Sequence, residues 1–467
     1  MIVSPTFTQA PNVKPLINIG CLFDIPTGTY MEGKHGESIL NGGLAYLTAI
    51  VGQGNYFKST IKNYMLLSAF DKVRSQTQES SISSYDTEIN VHEESLKRFM
   101  AQFEHLDPDS IFVDRVWLIT DANMLTGDEF FKELKNFCDA KMQHKKELTC
   151  DLPFLERDGQ NNMQALIPTF GDIDSLSEFT TSDVLEMGDK FDLGDSGANT
   201  MHMRSGLSKM RMLMDLPVLT AKFNHYMLLT AQVGKEIPMG AGPMAMPQKK
   251  LQFLKNNDKI KGISDKALFL IHNMWQVISC TLLLNKGTNE PEYPSGSSYN
   301  KDPDLNLVTM KLVRSKSGTS GVEITILVSQ QDGVLSHLSQ FHYIKTNGRF
   351  GLGGNDRNYF LELLPDVNLS RTTVRDKIDN NPALRRALEI TSELCQINQY
   401  WRNIDHNLIC TPKELYESIK SQGYDWDKLL ATRGYWVINE ESHQVPFLST
   451  MDLLKMRVGK YKPWWYK

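Results

Sequence analysis

Two apolar segments flank a glycine loop near the start of the chain, and this arrangement constrains the fold more than any other feature. Residues 44–52 (LAYLTAIVG) predict a buried strand, and residues 59–76 have the apolar spacing of a helix. The loop between them reads GQGNYFKST over residues 52–60. A strand, loop and helix in this order turn backbone N–H groups inward at a helix N-terminus, where an anion can bind. The segment therefore predicts a phosphate-binding loop.

The side chains of this loop match most of the nucleotide-binding pattern G-x-x-x-x-G-K-[ST], in which the lysine reaches the outer phosphates and the next hydroxyl binds Mg²⁺. Phe57 stands where the pattern has its second glycine. The candidate nucleotide-binding residues are Gly52, Gly54, Phe57, Lys58, Ser59 and Thr60. The alternative interpretation is a glycine turn before a helix that carries Lys-Ser-Thr by chance.

Two later strand patterns end in acidic residues, which a nucleotide hydrolase needs beside its phosphate loop. Mg²⁺ requires an acid on a neighbouring strand, and the attacking water requires a carboxylate that orients or deprotonates it. Glu88 closes the pattern of residues 80–89. Asp172 and Asp174 close that of residues 163–176. Taken singly, such acids are more often helix caps or solvated turns, but their place after a phosphate loop favours catalysis.

Composition excludes several classes of protein. The 467 residues carry 50 Lys and Arg against 55 Asp and Glu, a formal net charge of −5, which excludes a wholly polycationic surface but not a local basic strip. The six cysteines form no C-x-x-C pair, which argues against a disulfide framework or structural zinc and favours a reducing cytoplasm. The sequence has no apolar run of about 18 residues and no signal-peptide pattern, so we expect no membrane association.

Strand and helix patterns alternate along the chain, which predicts an α/β fold with a mostly parallel central sheet. Residues 1–18 contain three prolines and have the character of an extended arm. We expect the α/β core over residues 19–343, with insertions near 105–160 and 286–305. Residues 350–467 carry capped helical patterns and predict a smaller, mainly helical domain.

The order of these motifs resembles the RecA family of recombinases. A phosphate loop is followed by an acid-ended strand, an Asp-Ser strand, a strand ending in Gln and a basic strand, over residues 17–345. The Phe-Lys-Ser sequence of the loop is similar to the phage UvsX-like branch of that family. The resemblance implies a RecA-like P-loop ATPase core that binds ATP and Mg²⁺ between protomers.

The resemblance also implies roles for the loop and the strand-end acids. Lys58 contacts the phosphates, and Ser59 binds Mg²⁺ together with Asp174, for which Asp172 is the rival. Glu88 is the counterpart of the carboxylate that activates water. Residue types in this order fit the general requirements of phosphoryl transfer.

Three further residues correspond to positions that contact or sense the γ-phosphate in RecA proteins. Gln232 ends the strand HYMLLTAQ and corresponds to the residue that senses the γ-phosphate. Arg314 and Lys316 correspond to basic fingers that reach the γ-phosphate of the neighbouring subunit. Their alternate spacing places both on one face of a strand. The alternative is a solvated edge strand protected by basic residues.

Two segments correspond to the DNA-binding loops of the family, near residues 194–206 and 234–262. Residues 235–266 hold seven lysines against three acids, a local net charge of +4, which suits a phosphate backbone. The candidate DNA-binding residues are Met203, Arg204, Lys235, Lys249, Lys250 and Lys255. The alternative for the second segment is a solvated lysine-rich loop.

The N-terminal arm contains the pattern F-x-x-A at Phe7 and Ala10. RecA-type recombinases of eukaryotes use this pattern to dock an extended arm on the next subunit, which is strand addition in general terms. We therefore expect Phe7 and Ala10 to serve oligomerisation. The alternative is a disordered tail.

The resemblance implies an ATP-dependent homologous-recombination protein, a DNA-dependent ATPase that forms helical filaments on single-stranded DNA and promotes strand exchange with double-stranded DNA. Its expected partners are both forms of DNA, further copies of itself, and mediator and single-strand-binding proteins. Its expected location is the cytoplasm, that of a bacterial host if a phage encodes it. Two alternatives stay open: a hexameric replicative helicase with the same core, and a non-hydrolysing DNA-binding scaffold.

Overall fold

The structure is a computed structural model, and its description covers most of the chain. The described residues are 14–88, 93–120, 126–156, 159–182, 184–186, 198–235, 251–255, 258–295, 304–355 and 357–467. Phe7, Ala10, Lys249 and Lys250 lie outside them.

Strands and helices alternate through the first two thirds of the chain. The strands are β1 (Thr29–Glu32), β2 (Ser38–Asn41), β3 (Leu47–Gly52), β4 (Ile82–Asp86), β5 (Val116–Thr120), β6 (Thr149–Leu155), β7 (Asn162–Leu166), β8 (Thr169–Asp174), β9 (His225–Lys235), β10 (Asp258–Ile260), β11 (Asn273–Leu282), β12 (Leu305–Ser315), β13 (Glu323–Ser329), β14 (Gly333–Val334), β15 (Leu352–Gly354), β16 (Tyr359–Leu361) and β17 (Leu364–Leu369). The α-helices are α1 (Asp24–Thr27), α2 (Lys58–Arg74), α3 (Glu93–Met100), α4 (Pro108–Asp114), α5 (Gly127–Gln143), α6 (Ala198–Phe223), α7 (Asp265–Leu268), α8 (Ser336–Thr346), α9 (Val374–Asn380), α10 (Pro382–Tyr400), α11 (Pro412–Ser421), α12 (Trp426–Leu430) and α13 (Thr450–Arg457).

Within the described residues, the central sheet has ten strands in the order β14-β13-β12-β11-β3-β9-β8-β4-β5, with β10 paired to β9. The run from β11 to β5 is parallel throughout. Strand β3 is buried along its whole length, as the core strand of a parallel sheet covered by helices must be. The predicted α/β class with a mostly parallel sheet is therefore confirmed.

One edge of the sheet is antiparallel, which the alternating patterns did not indicate. β12 pairs antiparallel with β11, and β13 and β14 continue that arrangement. The connections from β12 to β13 (residues 316–322) and from β13 to β14 (residues 330–332) are short, and a short connection permits only an antiparallel pair.

The register of the parallel strands brings several of the predicted site residues to the carboxyl ends of neighbouring strands. Gly52 at the end of β3 lies opposite Gln232 of β9. Asp174 at the end of β8 lies opposite Asp86 of β4. The carboxyl ends of parallel strands are where ligands bind in open α/β sheets.

The C-terminal region differs from the expected boundaries. Helix α8 crosses residue 343, and the region begins with the three-stranded antiparallel sheet β15-β16-β17 before its helices. Apolar side chains of both regions, such as Ile50 and Leu388, belong to one continuous buried cluster. The C-terminal residues therefore complete the core of the α/β part.

Residues 14–18, assigned to the arm, pack on their own chain. The backbone of Ile17 exchanges hydrogen bonds of 3.1 and 2.8 Å with Leu44. The indole of Trp436 donates a 2.9 Å hydrogen bond to the carbonyl oxygen of Leu16. Any free arm therefore ends before Lys14.

The expected insertion near 105–160 is structured where it is described. β5 adds the outer strand of the sheet beside β4. The hairpin β6–β7 contacts the C-terminal region through Phe154, whose ring centre lies 5.1 Å from that of Trp436. Among the helices described, none combines the length and apolarity needed to cross a bilayer.

Candidate functional site

The loop between β3 and α2 contains a left-handed residue at the position of the missing glycine. Phe57 has φ 55° and ψ 24° immediately before α2. Glycine adopts this conformation freely, whereas a side chain with Cβ is strained in it. The ring of Phe57 packs at the rim of the main buried cluster. The backbone therefore holds Phe57 in a conformation that glycine adopts more easily, at the position where the nucleotide-binding pattern has a glycine.

The two glycines of the loop differ in what they are needed for. A Cβ on Gly52 would lie 3.1 Å from Cβ of Val277, so the close approach of β11 restricts this position. A Cβ on Gly54 would meet no atom within 4 Å. Gly54 is therefore open to the space above the loop, where a ligand can approach the backbone.

Lys58 begins α2 and folds over the loop. Its ammonium donates a 2.7 Å hydrogen bond to the carbonyl oxygen of Gln53. Partial burial lowers the pKa of Lys58, and the opposing charges of Glu88 and Asp174 limit the effect. These two carboxylates therefore lie within electrostatic range of the lysine.

Ser59 and Asp174 are in contact. The Ser59 hydroxyl lies 3.2 Å from Oδ1 of Asp174, and the Thr230 hydroxyl donates a 2.7 Å hydrogen bond to the same oxygen. Burial disfavours the charged form of Asp174, but the nearby Lys62 ammonium and the donated hydrogen bonds hold its pKa below the usual value. An ionised carboxylate thus faces the first turn of α2.

Asp172, the rival acid, lies deeper. Its Oδ1 accepts hydrogen bonds from Lys62 at 2.7 Å and from Ser84 at 3.0 Å. Its Oδ2 is buried and has no hydrogen-bond partner in the described part of the chain. Burial raises the pKa of Asp172 despite the charge of Lys62. The structure therefore places Asp174, and not Asp172, against Ser59.

Lys62 is the site residue that sequence reasoning missed. Its fully buried ammonium lies 2.7 Å from Asp172 Oδ1 and 3.1 Å from Asp174 Oδ2. Burial acts against the charge of Lys62, but the two carboxylates raise its pKa above the usual value. Lys62 follows Lys58 by one helical turn, so both lie on one face of α2. That spacing was the available indication.

Oxygen donors suited to Mg²⁺ are present beside the loop. Hydroxyl and carboxylate oxygens are its preferred ligands, and Mg²⁺ usually keeps several waters and takes one or two carboxylates together with substrate phosphates. Ser59 and Asp174 supply such a pair. No group of three or more His, Cys, Asp or Glu side chains forms a metal-binding cluster in the described residues. The donor set thus fits a magnesium–nucleotide complex better than a metal held by protein alone.

The remaining predicted residues of this edge surround the loop. The backbone N–H of Glu88 donates a 3.0 Å hydrogen bond to Asp86, just beyond β4. Gln232 lies beside Gly52, and its N–H donates a 3.0 Å hydrogen bond to the hydroxyl of Ser177. Thr60 lies in the first turn of α2.

Arg314 and Lys316 lie toward the amino-terminal end of the neighbouring strand β11, away from the carboxyl ends of the parallel strands, where the loop after β3 lies. Arg314 is level with Met274 of β11, which pairs with Ala49 of β3. Because Gly52 is three residues further along β3, the loop after β3 begins roughly 10 Å beyond the level of Arg314. Neither basic residue is therefore placed to serve the loop of its own chain.

Both side chains bind the same backbone segment. Arg314 donates hydrogen bonds of 2.8 Å to the carbonyl oxygens of Phe269 and Ile271, and Lys316 donates one of 3.1 Å to Leu270. Partial burial lowers the pKa of both groups. The pair shares a face, as the alternate spacing predicted.

The expected DNA-binding loops are only partly described. Of the first predicted loop, residues 198–206 are described and are helical, at the start of α6; Met203 and Arg204 lie on this helix. At the second, β10 pairs with the end of β9, and Lys235 forms an ion pair with Asp258. Lys255 is exposed.

A concavity of about 420 Å³ lies elsewhere, in the C-terminal region, lined by residues that include Phe447 and Trp464. None of the predicted site residues lines it. Its lining offers no arrangement of a phosphate loop and strand-end acids, so we place the candidate site at the loop after β3. Comparison with known proteins assigns no family, since neither a protein-family model nor a curated protein matches the chain.

Proposed function

We propose that the chain is a RecA-type P-loop ATPase that binds ATP and Mg²⁺ at the loop after β3. The observation that carries the proposal is the contact between Ser59 and Asp174, at 3.2 Å, beneath a loop whose left-handed turn precedes Lys58. A strand, loop and helix supply backbone N–H groups at a helix N-terminus, and the contact adds the metal-side hydroxyl and acid.

The residues of the site divide the work of phosphoryl transfer. Lys58 would exchange its hydrogen bond to Gln53 for the outer phosphates. Ser59 and Asp174 would hold Mg²⁺, which when bound neutralises charge on the phosphate oxygens. Glu88 would accept a proton from, or orient, the attacking water. Gln232, beside Gly52, is placed to respond to the γ-phosphate and to pass that response along β9 toward the lysine-rich segment.

The placement of Arg314 and Lys316 supports action between subunits. They lie toward the amino-terminal end of β11, away from the phosphate loop of their own chain, so a contribution to ATP hydrolysis requires the loop of a second copy. Cationic groups supplied by a neighbour can accelerate phosphoryl transfer by about 10³-fold or more. A head-to-tail contact of this kind builds rings or helical filaments. We propose the filament, as the recombinase resemblance implies.

The proposed DNA ligand is single-stranded DNA, with double-stranded DNA as the pairing partner. The lysines of residues 235–266 supply the positive charge, and Lys255 is exposed at the described part of that segment. Contacts of this kind are tolerant of sequence and weaken with salt. The proposed activity is ATP-dependent homologous recombination.

DNA-stimulated ATPase activity tests the proposal. We expect hydrolysis of ATP by the parent protein to require Mg²⁺ and to rise when single-stranded DNA is added. Lys58→Ala should abolish it, whereas Lys132→Ala, on the exposed face of α5, should leave it unchanged. Equal activity of the parent and Lys58→Ala would reject the assignment of the loop, and no ATPase in any form would favour a scaffold.

A further inference from the structure

We propose that Lys62 is a positioning residue, a resident cation that holds Asp172 and Asp174 together and presents one oxygen of Asp174 to the metal. The ammonium lies 2.7 Å from Asp172 Oδ1 and 3.1 Å from Asp174 Oδ2. Only the assignment of a metal to Asp174 rests on the proposed function. The arrangement of the three side chains stands without it.

The geometry divides the two oxygens of Asp174 between two tasks. Oδ2 is taken by Lys62, while Oδ1 faces the hydroxyls of Ser59 and Thr230. A carboxylate fixed in this way can offer a metal a single oxygen, on the side of the phosphate loop. Groups that orient a metal ligand commonly change metal affinity about tenfold or more when removed.

Charge balance explains why the three residues occur together. Two carboxylates this close to each other and shielded from water would repel, and burying either without a partner is costly. One ammonium placed between them supplies the attraction that a divalent cation could otherwise supply. The Ser59 hydroxyl is bonded to Asp174, whereas Asp172 accepts its hydrogen bonds from Lys62 and Ser84. The role of Asp172 is therefore to fix Lys62.

Loss of Lys62 alone should have a different effect from loss of Lys62 together with Asp172. Lys62→Met leaves two buried carboxylates without a cation, so the protein should lose stability and should recover part of it when a divalent cation binds between them. Lys62→Met combined with Asp172→Leu removes one ion pair, while Asp174 keeps the hydrogen bonds that its Oδ1 accepts from Ser59 and Thr230. Replacing a buried ion pair with apolar groups is often neutral for stability.

Thermal unfolding without nucleotide, in EDTA and in millimolar Mg²⁺ or Mn²⁺, is the first measurement. In EDTA, Lys62→Met should unfold about 5 °C or more below the parent, and metal should restore at least half of the loss. The double variant should unfold within about 2 °C of the parent and show no response to metal. Lys132→Met is the control for loss of an exposed lysine. A destabilised single variant with no metal response, or a double variant as unstable as the single, would overturn the proposal.

Binding of a fluorescent ATP analogue is the second measurement, and it separates positioning from mere packing. The double variant should need about tenfold more Mg²⁺ than the parent for half-maximal binding, with metal-free binding unchanged. An unchanged Mg²⁺ requirement would show that Lys62 does not position Asp174. If the parent itself binds no analogue, the proposed function fails, while the unfolding measurements still decide the role of Lys62.

Discussion

The hydroxyl of Ser59 lies 3.2 Å from Oδ1 of Asp174, and this contact joins the first turn of α2 to the end of β8. The two residues are 115 positions apart in the sequence and meet because β8 ends at the same sheet edge as β3. The central claim, a nucleotide site at this edge, depends on that meeting.

Removal of the Ser59 hydroxyl should lower ATP hydrolysis and leave the melting temperature almost unchanged. Ser59 is exposed, so Ser59→Ala loses little packing, but it removes the metal-side donor. We expect Mg²⁺-dependent ATP hydrolysis to fall by about 100-fold with a melting temperature near that of the parent. Ser75→Ala, at the other end of α2, is the matched control and should hydrolyse ATP normally. Full ATP hydrolysis by Ser59→Ala would show that the Ser59 hydroxyl does not contribute to the site.

The left-handed turn at Phe57 makes a prediction about which substitutions the loop accepts. Phe57→Gly relieves backbone strain but loses the ring contact, so stability should stay within about 1 kcal/mol of the parent and nucleotide should still bind. Phe57→Val places a β-branched residue at φ 55° and should cost about 1–3 kcal/mol. Urea unfolding and nucleotide titration check both variants. Equal stability of the two would show that the turn is not held in this conformation.

Arg314 and Lys316 should matter for hydrolysis and not for binding. Because they lie far from the phosphate loop of their own chain, Arg314→Ala with Lys316→Ala should bind an ATP analogue as the parent does. Its DNA-stimulated hydrolysis should fall by about 10³-fold. Lys311→Ala, on the same strand, loses only an ion pair with Glu323 and is the control.

A mixing experiment tests the second subunit directly. Lys58→Ala lacks the loop lysine but keeps Arg314 and Lys316. The Arg314/Lys316 variant keeps the loop lysine but lacks both basic residues. Mixed together, the two should recover part of the hydrolysis that each lacks, because intact loops then meet intact basic residues. If hydrolysis does not recover and the Arg314/Lys316 variant also binds nucleotide weakly, these residues stabilise their own subunit and do not act on its neighbour.

Lysine substitutions in residues 235–266 should lower the salt dependence of DNA binding by different amounts. Lys255 is exposed, whereas Lys235 is paired with Asp258. Each lysine that contacts a phosphate of single-stranded DNA contributes about 0.7 to the salt slope of the binding constant. Lys255→Ala should lower that slope by about this amount, and Lys235→Ala should lower it less. Fluorescence anisotropy over a range of salt concentrations checks the order, which equal slopes for all three proteins would contradict.

The burial of Lys141 should make the stability of the fold depend on pH. Lys141 is buried, and it donates a 3.0 Å hydrogen bond to the hydroxyl of Thr169. Burial lowers its pKa to about 7, against the opposing influence of Cys138 and Cys150. Above pH 7 the unfolded chain therefore binds more protons than the folded one, and this group makes the protein more stable as pH rises toward about 10.

The comparison that isolates this effect uses two variants of one helix. The difference in melting temperature between Lys141→Met and the parent should shift in favour of the parent between pH 6.5 and about 9.5, because the cost of the buried charge disappears. Lys132→Met, exposed on α5, should show a constant difference. A constant difference for Lys141→Met as well would mean that Lys141 keeps its ordinary pKa.

Local patterns were enough to predict the strand, loop and helix of the candidate site and the acids at the neighbouring strand ends. The strand before Gly52 and the helix after Phe57 are encoded by apolar spacing, which is a property of neighbouring residues. The edge position of Asp174 follows from the rule that parallel strands end together. The choice between Asp172 and Asp174 did not follow, because it depends on which carboxylate faces the first turn of α2.

Long-range pairing accounts for what the sequence did not indicate. Lys62 has the appearance of an ordinary helical lysine until β8 brings two carboxylates against it. The antiparallel edge at β12 and the sheet β15-β16-β17 depend on connections and register that apolar runs alone do not specify. The predicted arm, residues 1–18, contains three prolines, yet Trp436, more than 400 positions later, binds the carbonyl oxygen of Leu16 within it.

Electron microscopy of the protein with single-stranded DNA and a non-hydrolysable ATP analogue in Mg²⁺ tests the central claim most directly. The account predicts open helical filaments that form with the analogue and that neither Lys58→Ala nor the Arg314/Lys316 variant forms. Closed rings on the DNA would contradict the recombinase proposal in favour of a hexameric helicase. Particles that do not depend on the analogue or on Lys58 would contradict a nucleotide site at this loop.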